Sequence, residues 1–284
     1  MKYDLIIVEN LAIEEIRMTT GTKTITGGSS YFALYPAALI SKKVGLVSVV
    51  GNDFDIRKIK AMGVDMKGTK VIKEGRTFKI YSAFSKDHAS RTVTYERGVA
   101  NRLTPKLFPR AYLNAKNIFL STSYPPTQLK FARFLKKKSR SIIGVDTITH
   151  YMTSYPKIIK TIFSLADIIF MNKEEYDLAK KLDLLSNDKN KTLIIKKDKN
   201  GATCKQDRCE YHYAAPKIKL VDPTGAGDCL AGAFLVLRAK GLSVNDALRK
   251  AIRIASLSIK DFGIEHIRNY RYIKNIIKNN TNQN

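Results

Sequence analysis

Residues 220–234 read LVDPTGAGDCLAGAF. An apolar pair, Leu220-Val221, leads into Asp222-Pro223-Thr224, then Gly225-Ala226-Gly227-Asp228, and then a small and apolar run that reads as a buried helix. Glycines at a strand-to-helix turn take backbone conformations closed to other residues and let a ligand approach the N–H groups closely. At a helix N-terminus those N–H groups are unpaired and aligned with the positive end of the helix dipole, so they are aimed where an anion can bind. An Asp at that point accepts hydrogen bonds while ionised, and the expectation is a carboxylate at neutral pH, available as a base. An anion site and a carboxylate base side by side suit phosphoryl transfer: amides and a metal ion hold the developing charge, and the carboxylate takes the proton from an attacking hydroxyl. A bare Gly-Ala-Gly-Asp is equally compatible with a plain helix start packed through small residues. The flanking Asp222, Thr224 and the Gly232-Ala233 pair favour chemistry.

Outward from this segment the chain has an α/β rhythm. The β-branched run 5–8 reads as a buried parallel strand, because such strands are covered on both faces. Residues 31–41 read as a helix despite Pro36, and 46–50 as the next buried strand. From residue 118 strands and helices alternate: strands 118–120, 142–146, 168–171 and 193–196, with helices 127–138, 155–164 and 173–182 between them. Two stretches break the rhythm. Residues 13–26 are Thr-rich and short of core-sized side chains, and between 71 and 97 apolar and polar residues tend to alternate, as in strands with one half-buried face. Together they predict a small accessory β-sheet inserted into one doubly wound α/β domain spanning 1–284. The Asn-rich terminus 278–284 is expected to fray.

The charge is the unusual feature of the composition: 50 Lys and Arg against 25 Asp and Glu, a net +25 on 284 residues. That raises a nucleic-acid partner as a reading to weigh. The densest basic run, Lys136-Lys137-Lys138 with Arg140, falls at a helix end, where cations are favoured by the dipole, and reads better as a solvated surface. Three cysteines in a long chain suit a reducing compartment, and Cys204 and Cys209, flanking a hairpin turn with only His212 nearby, fall short of a zinc site. No run of about 18 apolar residues exists, which excludes a spanning helix and makes a cytoplasmic protein with no membrane partner the simplest expectation. There is no P-loop pattern. Asp261-Phe262-Gly263 spells a protein-kinase tripeptide but lacks its companion motifs, and Gly263 is expected to cap a helix.

The 220–234 segment resembles the signature of the ribokinase-like, PfkB-type carbohydrate kinases, and the likeness runs from Leu5 to Gly263. The family's first strand usually ends in Gly with a substrate-holding Asp five residues on; Glu9 and Glu14 stand at those positions. Its Gly-Gly substrate motif matches Gly27-Gly28, with Phe32 in place of the Asn four residues beyond. Gly51-Asn52-Asp53 and Gly63-Val64-Asp65 match two further motifs, and Asp146 and Asp167 fall where the family often has Asp. Asn172 and Glu175 reproduce its Asn-x-x-Glu, and Lys196-Lys197-Asp198 stands where Thr-x-Gly often ends the nucleotide-side strand, with Gly201-Ala202 retained. The resemblance implies a mostly parallel central sheet flanked by helices and a small β-sheet lid, with ATP as phosphate donor and Mg²⁺. It makes Asp228 the base and Gly225, Ala226 and Gly227 the anion hole. Glu14, Gly27, Gly28 and Phe32 become substrate residues. Lys196, Asp198, Gly201 and Asn172 become nucleotide residues, with Glu175 and Asn172 organising the metal through water. It also implies a homodimer through the lid.

Phe32 bears on the substrate. An aromatic ring in place of Asn removes a partner for a sugar hydroxyl and offers a face to a nucleobase or to the apolar face of a sugar or cyclitol. The expected substrate is therefore ring-bearing and different from plain ribose. Arg76, Lys79, Arg91 and Arg97 on the lid strands raise the alternative of a phosphosugar kinase. The competing class is a nucleic-acid-binding protein on a degenerate kinase fold, against which an intact Asp228 and anion hole argue.

Overall fold

The β-branched run at the start of the chain forms β1 (Leu5–Val8), buried along its whole length. Such a strand needs cover on each side, which helices on both faces of a parallel sheet supply. The computed structural model of the protein describes residues 2–18, 21–84, 91–185 and 191–275. His88 and the terminus 278–284 lie outside the described residues. β1 pairs in parallel with β4 (Val44–Gly51) on one side and β8 (Asn117–Leu120) on the other. β5 (Asp65–Ile72) lies beyond β4, and β9 (Ile142–Asp146), β10 (Ile168–Asn172) and β11 (Thr192–Lys196) follow beyond β8, all parallel. An antiparallel hairpin of β12 (Ala202–Gln206) and β13 (Cys209–Tyr213) closes the far edge of this nine-stranded sheet. Its connections run outward in opposite directions from β1 and β8, so the switch point falls between them. Ligands in such sheets bind outside the carboxyl ends of the strands at that point.

The two-residue period of the strands sorts the core into two halves. Leu5, Ile7, Phe119 and Phe170 point to one face and pack with α1 (Ser29–Ile40), α7 (Ala226–Ala239) and α8 (Val244–Ser258). Ile6, Val8, Ile118, Leu120, Ile143 and Val145 point to the other and pack with α3 (Pro125–Lys138), α5 (Pro156–Leu165) and α6 (Lys173–Lys181). This is the doubly wound layout expected. The helix expected at 155–164 is preceded by a short α4 (Thr149–Ser154), because Tyr155 precedes Pro156 and cannot easily hold a helical conformation there. Gly263 is not a helix cap: α8 ends at Ser258 with Ile259 as its cap.

A second sheet holds β2 (Ala12–Met18), β3 (Gly21–Gly27), β6 (Phe78–Phe84) and β7 (Arg91–Glu96), in the order β3-β2-β6-β7. Its boundaries correct the expected 71–97: Val71 and Ile72 end β5 in the central sheet, and the smaller sheet resumes only at Phe78. Thr77 is the joint. Its Oγ1 accepts the Gly51 N–H at 2.9 Å and donates to Asp53 Oδ1 at 2.7 Å, and its N–H reaches the same carboxylate oxygen at 2.8 Å. Gly51-Asn52-Asp53 thus ends β4 by pinning the chain where it leaves one sheet for the other.

Candidate active site

Asp146, Asn172 and Lys196 stand at the carboxyl ends of β9, β10 and β11, and Asp228 at the start of α7. α7 starts on the turn expected from the sequence. Gly225, its N-cap, is left-handed at φ 73°, and a Cβ there would lie 2.0 Å from Cγ of Phe32, so only glycine lets the turn close. The same contact overturns the expectation for Phe32. The ring is 2% exposed and forms the floor beneath the turn, because α1 and α7 pack closely, with Gly232 of α7 against the Ala33 backbone. It offers no open face to a substrate.

The Ala226 N–H turns back on the Pro223 carbonyl at 3.2 Å, whereas those of Gly225 and Gly227 meet no acceptor among the described residues. The turn thus leaves two glycine amides without an acceptor among the described residues, at the positive end of the helix dipole. Asp228 sits in the first turn of α7, half-buried. Burial, with the negative charges of Asp146 and Glu175, pushes its carboxyl up to about 8, only partly offset by Lys196. This corrects the expectation of a carboxylate ionised throughout neutral pH. Helix-terminal hydrogen bonding is outweighed by desolvation and by two acids sharing the site.

Asp146, at the end of β9, is 2% exposed and accepts a hydrogen bond from Lys196 Nζ at 2.7 Å. Lys196 ends β11, and its ammonium lies 3.2 Å from the point a Cβ on Gly227 would occupy. The structure thus brings Lys196, expected on the nucleotide side, against the turn that opens α7. Asp198 is exposed on the loop beyond, holding a left-handed φ of 49°, so it keeps the turn that glycine usually makes. Gly201 is buried at the start of the β12 hairpin, where a Cβ would overlap the Tyr213 carbonyl at 1.9 Å.

Asn172 and Glu175 form a reciprocal capping box at the start of α6: Asn172 Oδ1 accepts the Glu175 N–H at 2.7 Å and Glu175 Oε2 accepts the Asn172 N–H at 2.7 Å. Glu175 is buried, and its carboxyl is raised to about 7, burial being the main cause. Among the described residues no group of three or more acidic, His or Cys side chains could hold a metal. The pair fits Mg²⁺ that keeps its water shell and meets the protein through it, as that ion prefers, and does not fit a cage of direct protein ligands.

On the substrate side, Glu14 is 1% exposed on β2, accepts from Ser82 Oγ at 3.0 Å and packs on Gly27, where a Cβ would lie 2.7 Å from its Oε2. Gly28 is the N-cap of α1. Glu9 and Asn10 follow β1. Both are buried, Glu9 Oε2 and Asn10 Oδ1 meet no hydrogen-bond partner among the described residues, and burial lifts the Glu9 carboxyl to about 7. The hydroxyls of Ser121 and Thr147, just past β8 and β9, are also buried and unpartnered.

Sequence reasoning missed an aromatic rim near these strand ends. Tyr124, the residue before α3, meets Tyr155 edge to face at 5.7 Å, and Tyr155 meets Tyr151 at 6.5 Å. Arg97, from the end of the smaller sheet, lies over the Tyr124 ring at 5.3 Å. Tyr124 follows β8, and Tyr151 and Tyr155 follow β9, so the rim lies past the carboxyl ends of those strands. The available signal was a Tyr-Pro pair at 124–125 and 155–156, each at the start of a helix.

Comparison with known proteins agrees with this architecture. The chain is 29% identical over 276 residues to a cytidine kinase of Thermococcus kodakarensis, covering 92% of this chain and 97% of that protein. It is 29% identical over 269 residues to a 5-dehydro-2-deoxygluconokinase of Clostridium tetani, covering 84% and 78% respectively. A putative ribokinase II from E. coli, solved in complex with ATP and Mg²⁺, superposes with a TM-score of 0.80 at 17% identity over 98% of this chain and 100% of that one. The family profile described as pfkB family carbohydrate kinase matches residues 1–267, and the chain belongs to that family of kinases.

Proposed function

We propose that this kinase uses ATP to phosphorylate a hydroxyl of a small ring-bearing substrate, a sugar, nucleoside or cyclitol. Asp228 is the base, and the turn Gly225 to Gly227 is the anion hole. The observation that carries this reading is the carboxyl of Asp228 standing one residue past two unpaired glycine amides, at the head of α7 and at the switch point of the sheet. The amides oppose charge building on the transferred group, and Asp228 receives the hydroxyl proton as the new O–P bond forms. Its raised pKa suits it to hold that proton near neutral pH. When bound, Mg²⁺ supplies charge neutralisation on the donor phosphates. The smaller sheet acts as a lid that excludes water, and it serves as the contact face of a homodimer.

Within this class the rim of Tyr124, Tyr151 and Tyr155 favours a substrate with a planar ring, since tyrosine faces stack on nucleobases. The cytidine kinase relative is consistent with that. The lid cations give the phosphosugar reading little support: Lys79 pairs with Glu15 at 3.6 Å, Arg97 lies on Tyr124, and Arg76 is exposed.

A coupled assay of ADP release across ribose, fructose 6-phosphate, inosine, cytidine and myo-inositol tests the reading. The expected outcome is highest turnover with a nucleoside, reduced at least about 10²-fold by Asp228→Asn while the fold by circular dichroism is unchanged. Near-normal turnover by that variant would refute Asp228 as base. High efficiency on ribose with none on nucleosides or cyclitols would refute the substrate assignment.

A further inference from the structure

Lys196 is a cation in a place that stability alone does not explain. Its side chain is 15% exposed, and desolvating an ammonium is costly unless it is paired. One partner is Asp146, whose Oδ2 it meets at 2.7 Å. A lysine carries three donors, and no other acceptor meets this ammonium among the described residues. The rest of its surroundings are the turn that opens α7, where Nζ lies 3.2 Å from the Cβ position of Gly227. An acid fixes the side chain on one side, and on the other its Nζ lies against Gly227 in the turn that opens α7.

Building on the kinase reading above, we propose that Lys196 is a catalytic residue whose ammonium contacts the phosphoryl group in transit, with Asp146 as its positioning residue. The acceptor hydroxyl oxygen bonds to the terminal phosphorus of the donor as its proton passes to Asp228. The bond from that phosphorus to the bridging oxygen breaks, and its electron pair leaves on the nucleoside diphosphate. Lys196 keeps its proton throughout and, with the two glycine amides, holds the non-bridging oxygens. The rival account is that Lys196 only neutralises the buried Asp146, in which case removing both charges together would be harmless.

The test uses Lys196→Met, Lys196→Arg and the double variant Asp146→Asn/Lys196→Met in the full chain, with ATP and the best acceptor from the panel above. The double variant removes a charge pair and so keeps the fold measurable if Lys196→Met alone is unstable. Lys196→Met and the double variant are expected to lose about 10²–10³-fold in kcat with little change in acceptor KM, and Lys196→Arg to retain part of the rate. Calorimetry supplies a readout independent of turnover: both Met-containing proteins should bind ATP at least about tenfold more weakly while ADP affinity holds, since only ATP carries the transferred group. Recovery of kcat in the double variant to within a few-fold of wild type, or equal weakening of ATP and ADP, would overturn the proposal. Wild-type protein inert toward every acceptor would overturn the kinase reading itself, and this inference with it.

Discussion

Asp228 shows how a single side chain ties the electrostatics of the site to its pH dependence. Burial raises its carboxyl to about 8, and Asp146 and Glu175 add to the shift. A general base must be unprotonated to act, so the protonated form that dominates below about 8 is idle. We therefore expect kcat/KM to rise about tenfold per pH unit through the range below 8 and to level off above it. Asp146→Asn removes one of the charges holding the proton on Asp228, and the midpoint should shift downward in that variant. A profile flat from pH 6 to 9 in the wild-type protein would contradict the assignment. The place of Asp228 in the first turn of a helix was legible in the sequence, because Gly-Ala-Gly-Asp before a small apolar run has a local meaning. Its protonation was not. That depends on Asp146 and Glu175, which lie 82 and 53 residues away in the chain and come near Asp228 only because β9 and β10 end where α7 begins.

At the scale of elements, the strand-helix alternation was readable because parallel strands are short apolar runs and each crossover helix has its own period. The smaller sheet was placed correctly in kind but not in extent, since alternation between 71 and 97 does not tell an edge strand of one sheet from the start of another. The substrate wall was misread for a related reason. Phe32 occupies a motif position, yet the packing of α1 on α7 turns its ring under Gly225, while the rim tyrosines come from the residue before α3 and from α4 and its end, past β8 and β9. If those rings hold a planar substrate, Tyr155→Ala should raise KM for cytidine or inosine about tenfold, the loss of one ring contact, and leave KM for a non-aromatic acceptor unchanged. Equal changes for both acceptors would point to a collapsed loop. The joint at Thr77 gives a second test. Thr77→Val deletes the hydroxyl that links Gly51 to Asp53 and should loosen the lid at a cost of about 1 kcal/mol. The expected signature is a larger fraction of ATP hydrolysed without transfer, because a less firmly closed lid admits water.

For the whole molecule the question is what a net charge of +25 does, and buried acids make it separable from the site. Like charges on the surface repel in the folded state, and that repulsion grows as exposed carboxylates are protonated below their ordinary range near pH 4. Salt screens it. Glu9 and Glu175 act in the opposite sense. Each has a folded-state pKa near 7 against an ordinary 4.5, so the folded chain binds the extra protons. The stability they contribute is fully present below about 4.5 and is lost as the pH rises through about 7. The two effects cross, and the ligand-free protein should be most stable near pH 4.5–5, weakening by a few kcal/mol as the pH rises to about 7 and levelling off above it. Chemical denaturation with urea at fixed ionic strength measures this directly. Raising the salt should recover stability on the acid side, where repulsion dominates, and leave the decline between about pH 5 and 7 in place, since buried groups are poorly screened. Glu9→Gln, which cannot ionise, should flatten part of that decline while sparing the acid limb. If the decline instead disappears with salt and persists in Glu9→Gln, surface charge sets the stability of this protein and the buried carboxyls are ionised without penalty.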